Sequence, residues 1–265
     1  MNVKELLSLK GKVCLVTGGA GRYGKCIVEG LAEADGTVIT ASRNLEAGEK
    51  VAKEYRDLGY DVHAMRVDQA DHESVLALKA GIKSKFGGLD VFVDNAVART
   101  MKGYKDDLGN FAESMRINAT GMWDINREMT ELLIERGGGS IIHISSMMGM
   151  FGPDMSNYEG SEMWKTDDPA PDYFFHNAGL INIARYQAHV LSKYNIRANC
   201  ISPGGLRSEG VKQDEAFLRN YNKKVLSGHR LANQDDIKGP VVFLASQASA
   251  YVNGENILMD GGMHC

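Results

Sequence analysis

Thr17-Gly18-Gly19-Ala20-Gly21-Arg22-Tyr23-Gly24 is the stretch that decides how this chain is read. It follows the apolar run Lys12–Thr17 and gives way to helical periodicity over Lys25–Ala34. Gly19, Gly21 and Gly24 make a G-x-G-x-x-G at a strand-to-helix junction. There the backbone must turn tightly, approach a pyrophosphate closely and offer helix N-terminal amides to negative charge. Gly18, Gly19, Gly21, Arg22, Tyr23 and Gly24 are therefore expected to form a dinucleotide phosphate loop.

Working outward, short β-rich runs alternate with longer helix-like stretches to the end of the chain. The strand candidates are Lys12–Thr17, Thr37–Ala41, Val62–Val67, Leu89–Asp94, Ser140–Ser145, Ile196–Ile201 and Asn256–Met259. Several are apolar on consecutive residues, the pattern of strands covered on both faces. Helical periodicity fills Lys25–Ala34, Glu46–Leu58, His72–Phe86, Gly109–Arg136, Tyr173–Tyr194 and Asp235–Ala245. Repeated βα units predict an α/β fold, a doubly wound Rossmann-type parallel sheet with helices on both faces. No linker, repeat or charge block marks a seam, so residues 1–265 read as one domain. Two regions break the rhythm, 147–171 and 204–230, the second loop-like over Gly204–Gln213 before helical character resumes. Both follow carboxyl ends of strands and are assigned to the substrate site.

The end of the second strand reads Ala41-Ser42-Arg43, where a carboxylate would accept a ribose hydroxyl and repel a 2′-phosphate. Arg43, with Arg22 beside it in the loop, suits a phosphate, so NADP(H) is favoured and NAD(H) stays open. Asp68, followed by Gln69, is placed either to accept from an adenine amino group or to cap the next helix.

Composition narrows the function classes. A net charge of −4 argues against nucleic-acid binding, which needs a basic excess on one face. Met1 to Lys10 lacks a signal peptide's apolar stretch and no apolar run approaches membrane-spanning length, so a cytoplasmic protein is expected. Cys14, Cys26, Cys200 and Cys265 share no ligand spacing, and no metal site is expected.

Beyond the loop, the chain carries Asp68, Asp94-Asn95-Ala96-Val97, Asn118 with Gly121, Ser145-Ser146, Tyr173, Asn199-Cys200-Ile201-Ser202-Pro203-Gly204 and a closing Asp260-Gly261-Gly262. In this order these residues resemble the short-chain dehydrogenase/reductase family over essentially the whole length. The resemblance implies an oxidoreductase that interconverts a secondary alcohol and a carbonyl. It implies Tyr173 as acid/base, Ser146 polarising the substrate oxygen and Asn118 continuing a proton path through water. It also implies that Asn95, Ala96, Val97, Pro203, Gly204, Leu206 and Ser208 approach the cofactor, and that helices such as Gly109–Arg136 and Tyr173–Tyr194 pack across a two-fold axis in a homodimer or homotetramer.

The family's lysine, four residues after the tyrosine, is Asn177 here. Asn177 shares a helix face with Tyr173 and suits ribose hydroxyls, but it carries no charge. An ordinary phenol is only about 0.1% ionised at pH 7, so a missing cation slows proton transfer. Tyr158, with Glu162 four residues on, is the alternative tyrosine; Lys165 and His176 are alternative cations. Asp94 and Val97 stand where the family has asparagine and glycine, and Val97 adds bulk beside the cofactor path. Two further readings follow from these departures: altered non-redox chemistry (elimination, dehalogenation or epimerisation) and a catalytically impaired dinucleotide-binding protein.

On the substrate side, the loop with Tyr158-Glu159-Gly160 and Asp167-Asp168-Pro169-Ala170-Pro171 resembles one in reductases of bacterial surface-sugar synthesis. That resemblance implies a small, sugar-like, polyhydroxylated or acidic substrate. Met147, Met148, Met150, Met155, Met163, Phe151 and Trp164 suggest an adaptable apolar wall. His143 reads as a satisfied core histidine, while His229 and His264 are open to a pocket role.

Overall fold

In the computed structural model, residues 1–163, 168–207 and 212–265 are described; Trp164, Lys165 and Ser208 lie outside them. Seven strands, β1 (Val13–Thr17), β2 (Thr37–Ser42), β3 (Val62–Arg66), β4 (Val91–Asp94), β5 (Gly139–Ile144), β6 (Ile196–Pro203) and β7 (Asn256–Met259), form one sheet. Its order is β3-β2-β1-β4-β5-β6-β7, and every pairing is parallel.

The helices are α1 (Val3–Leu7), α2 (Arg22–Glu33), α3 (Leu45–Asp57), α4 (His72–Phe86), α5 (Leu108–Met115), α6 (Met122–Glu135), α7 (Pro171–Leu191), α8 (Glu215–Lys224) and α9 (Lys238–Ala245).

All five residues of β1 are buried, because its alternate side chains enter two different cores. Cys14 and Val16 join Ile27, Val28 and Leu31 of α2 and Val241 and Leu244 of α9 on one face. Val13 and Leu15 join Leu78 and Ile82 of α4 and Ile125, Met129 and Leu132 of α6 on the other. Burial on both faces is why the strand sequences lack polar alternation.

The chain winds outward from β1 to β3, then crosses back to lay β4 on the free side of β1. The crevice at that reversal, beyond the carboxyl ends of β1 and β4, is where such sheets hold ligands.

One expectation needs correction. Gly109–Arg136 is not one helix: a π-helical turn over Arg116–Gly121 separates α5 from α6. At this turn the backbone of Gly121 lies against the carbonyl of Gln69, where a Cβ would collide. In region 204–230 the helical stretch after Gln213 is α8, whose N-cap Asp214 accepts from Phe217 N. α8 in turn braces the other long loop: Lys224 binds Asp154 and Ser156, Asn220 Nδ2 donates to Glu159 O at 2.9 Å, and Phe217 stacks on Tyr158.

Candidate active site

A cleft of about 770 Å³ opens above β1, β4 and β5, lined from Arg22 and Arg43 at one end to Arg99, Tyr158 and Tyr173 at the other. This is the size of a typical small-molecule site.

The nucleotide loop is shaped by close approach. Gly18 has a φ of +66°, and a Cβ on Gly24 would overlap the Gly18 carbonyl. α2 begins at Gly21 with no side-chain cap, so the first-turn N–H groups of Arg22, Tyr23 and Gly24 are left for an anion. Gly19 does not line the cleft; it is packed against Thr40 and Val28. Tyr23 donates from its hydroxyl to Gly204 O at 3.0 Å, joining the loop to the end of β6. Burial pushes the Tyr23 phenol up, which keeps it a donor. Asn95 is turned toward the protein, its Nδ2 donating to Thr17 O and Gly18 O at 2.9 and 3.2 Å. Asn95 N and Ala96 N both donate to Thr17 Oγ1.

At the adenosine end, Ser42 closes β2 and Arg43 follows it, and Arg43 makes no ion pair among the described residues. Asp68 and Gln69 line the cleft. Asp68 Oδ1 accepts from Ala70 N at 3.1 Å, and the cap of α4 is Asp71, not Asp68. These features fit a dinucleotide: free amides at a helix start, two unpaired cations beside β2, and a carboxylate across from them. Among the remaining candidates, Val97, Gly204 and Leu206 line the cleft, with Val97 46% exposed. Pro203 stands behind it, paired with Met259.

Ser146, at the end of β5, accepts from Met148 N at 3.2 Å, which leaves its O–H free to donate. Ser145 is excluded from that role, since its hydroxyl donates to Asn177 O at 2.9 Å. Tyr173, in the first turn of α7, has no hydrogen bond to its hydroxyl among the described residues, and its ring lies under Arg99. Tyr158 lines the same cleft from the loop, stacked on Phe217.

Asn177 Nδ2 donates to Tyr173 O at 2.7 Å and contacts His176 Nε2 at 3.1 Å, leaving Oδ1 unpartnered. His176 is buried, and burial lowers its pKa. It is neutral and supplies no cation. Asn118 does not offer its side chain to water: Oδ1 accepts from Ala98 N, while Nδ2 donates to Ala98 O and to Ser114 Oγ. Ser114 Oγ then donates to buried Asp172, one residue before Tyr173, at 2.6 Å. Asn118 thus fixes the segment after β4 relative to α7. His229 and His264 stay outside the main cleft; His264 pairs with Asp260 and stacks on Phe151.

Asp94 faces inward, 2% exposed. It accepts from Asn126 Nδ2 at 3.0 Å and meets His143 Nδ1 at 3.0 Å. His143 Nε2 meets Gln187 Oε1 at 2.6 Å, and Gln187 Nε2 donates to Asn126 Oδ1 at 3.2 Å. The four side chains close a buried ring under the cleft floor, so Asp94 does not crowd the cofactor.

Arg99 and Phe217 are among the lining residues that the sequence reading did not single out. Arg99 sits in a stretch with no periodicity, and only the fold brings it to Tyr173. Phe217 lies on α8, and only its stacking on Tyr158 brings it to the cleft.

The chain matches, over residues 22–264, the family model described as enoyl-(acyl carrier protein) reductase. It is 32% identical over 262 residues to an uncharacterized oxidoreductase of Thermotoga maritima, covering 96% of each chain. It is 29% identical to 2-dehydro-3-deoxy-D-gluconate 5-dehydrogenase of Pseudoalteromonas atlantica, covering 97% of this chain and 98% of that one. Among solved structures, a gluconate 5-dehydrogenase from Burkholderia cenocepacia in complex with NADP and tartrate superposes with a TM-score of 0.87. That enzyme is 25% identical, with 99% of this chain and 98% of the other covered.

Proposed function

The chain belongs to the short-chain dehydrogenase/reductase family and is an oxidoreductase of that type, and from this premise we propose that it interconverts a secondary alcohol and a carbonyl on a small polyhydroxylated substrate, with NADP(H) preferred over NAD(H). The observation that carries the reading is the Tyr173 hydroxyl, without a hydrogen bond among the described residues, on the wall of the same cleft that Ser146 lines.

A nicotinamide held in the cleft would supply or accept the hydride at the substrate carbon. Tyr173 gives a proton to the carbonyl oxygen in reduction and removes one from the alcohol in oxidation. Ser146 donates a hydrogen bond to the same oxygen, its rotor set by the bond it accepts from Met148 N. Asn177 Oδ1 accepts from a ribose hydroxyl, taking the holding role but not the charge of the family's lysine. Amides of Arg22, Tyr23 and Gly24 would hold the pyrophosphate, and Arg43 and Arg22 would take the 2′-phosphate. The relatives that act on gluconate-type compounds, and the one that holds NADP, support the substrate class and the cofactor preference.

The regions 147–171 and 204–230 form the substrate side. Phe175, Tyr186 and Val190 are exposed along α7, with Phe111 and Trp123 against the first two. This apolar face supports a homodimer or homotetramer, and a monomer mass in light scattering would exclude it.

The deciding experiment is calorimetric titration with each cofactor, followed by nicotinamide absorbance assays over polyols, sugar acids and their keto forms. Expected are tighter NADP(H) binding and turnover of at least one substrate. Cofactor binding with no absorbance change across the panel would overturn the reading.

A further inference from the structure

We infer that Arg99 is a carboxylate anchor, so that the substrate is a hydroxy or keto acid bound with its anionic end beside Tyr173 rather than a neutral polyol. This rests on the oxidoreductase reading above and narrows it.

The Arg99 guanidinium carbon lies 4.5 Å from the centroid of the Tyr173 ring, a cation–π contact that restrains the head group at the reacting end of the cleft. Its backbone position is equally determined, because both main-chain polar groups of Ala98 are held by the buried side chain of Asn118.

What distinguishes Arg99 is its place: its donors are uncommitted like those of Arg22 and Arg43, but of these three it alone lies on the Tyr173 ring. Arg116 and Arg230 fork onto Glu113 and Asp236, and Arg136 reaches Asp90. Arg99 has no hydrogen bond or ion pair among the described residues. The acids nearby are committed elsewhere: Asp172 to Ser114, and Asp94 to Asn126 and His143. Five N–H donors in a fixed fork, held against the acid/base and lacking an acceptor, match a carboxylate in the bidentate geometry arginine favours.

The electrostatic setting agrees. The other two cations on the cleft wall among the described residues, Arg22 and Arg43, stand at the phosphate end. His176, beside Tyr173, is neutral. Arg99 is thus the one described cation at the substrate end, and an anionic substrate finds there no competing positive site.

The test is calorimetric titration of NADP⁺-loaded protein with D-gluconate and with D-glucitol, which differ at one end by the carboxylate. The wild type is expected to bind gluconate at least about tenfold more tightly, and Arg99→Met to lose that preference. Arg99→Lys restores part of it, since an ammonium keeps the charge but not the fork. Equal or undetectable binding of the two probes by the wild type, or an undiminished preference in Arg99→Met, overturns the inference. In turnover, Arg99→Met is expected to raise KM for gluconate about tenfold more than KM for glucitol. A fall in kcat shared by both compounds, with KM unmoved, would assign Arg99 to Tyr173 and not to the substrate, which also overturns it. Gluconate preference without turnover of any compound would sink the oxidoreductase reading alone.

Discussion

The side-chain amide of Asn177 donates to the main-chain carbonyl of Tyr173, one helical turn earlier, at 2.7 Å. Asn177, which we propose stands in the family's lysine position, is thereby tied to its own helix and brings no charge to the phenol it follows. Asn177→Lys is expected to raise kcat near neutral pH by about tenfold or more, because a cation favours the charge that develops on the tyrosine oxygen. Absorbance assays across pH check this; an unchanged kcat would mean that proton transfer is not limiting.

Tyr173→Phe removes only the hydroxyl. Turnover is expected to fall by about 10²- to 10⁴-fold while calorimetric affinity for NADP(H) holds. A Tyr158→Phe variant, tested alongside, should keep most of its kcat; the reverse ranking would move the acid/base to the loop.

Arg43→Ala should weaken NADP(H) binding by about tenfold or more, the loss of a charge-assisted pair with the 2′-phosphate, and leave NAD(H) nearly unaffected. Equal weakening of both cofactors in the titration would place Arg43 elsewhere than the phosphate.

Burial lowers the His176 pKa, Asp172 opposes that, and the fields of Arg99 and Asp94 act in opposite senses. The unfolded chain, with an ordinary histidine near pH 6.5, therefore takes up the proton first as pH falls. The associated stability is fully present above about pH 6.5 and is lost as pH drops through that value toward the folded one. Urea midpoints measured at about pH 7.5 and about pH 5.5 should diverge less for His176→Gln than for the wild type. The same divergence in both proteins would remove His176 from the acid response.

Asp94→Leu strands the donors of Asn126 and the Nδ1 of His143 in the core. It should destabilise by about 3 kcal/mol or more, whereas Asp94→Asn, which keeps an acceptor oxygen, should cost clearly less. Urea unfolding compares them, and similar losses for the two would show that the ring's polarity is not what matters.

The sheet was legible because burial on both faces writes uninterrupted apolar runs; β7 matches its sequence bounds and the other strands lie within two residues of theirs. The loop at Gly18–Gly24 was legible because glycine is forced by contacts a Cβ would break. The π turn at Arg116–Gly121 was not, since it arises where Gly121 meets Gln69, a contact far apart in sequence. Arg99 was missed for the same reason: its importance comes from the ring it lies on, and nothing local marks it. Asn118 was found by motif, but its work as a clamp on Ala98 could be seen only with its partners in place.

The ring of Asp94, His143, Gln187 and Asn126 joins β4, β5, α7 and α6, and each member's hydrogen-bond polarity is dictated by the next. Its consequence is evolutionary: the four positions are epistatic, and a single replacement leaves two neighbours mismatched. Mutational paths away from this arrangement are expected to change members together or pass through an unstable protein, so the floor of the cleft changes as a unit.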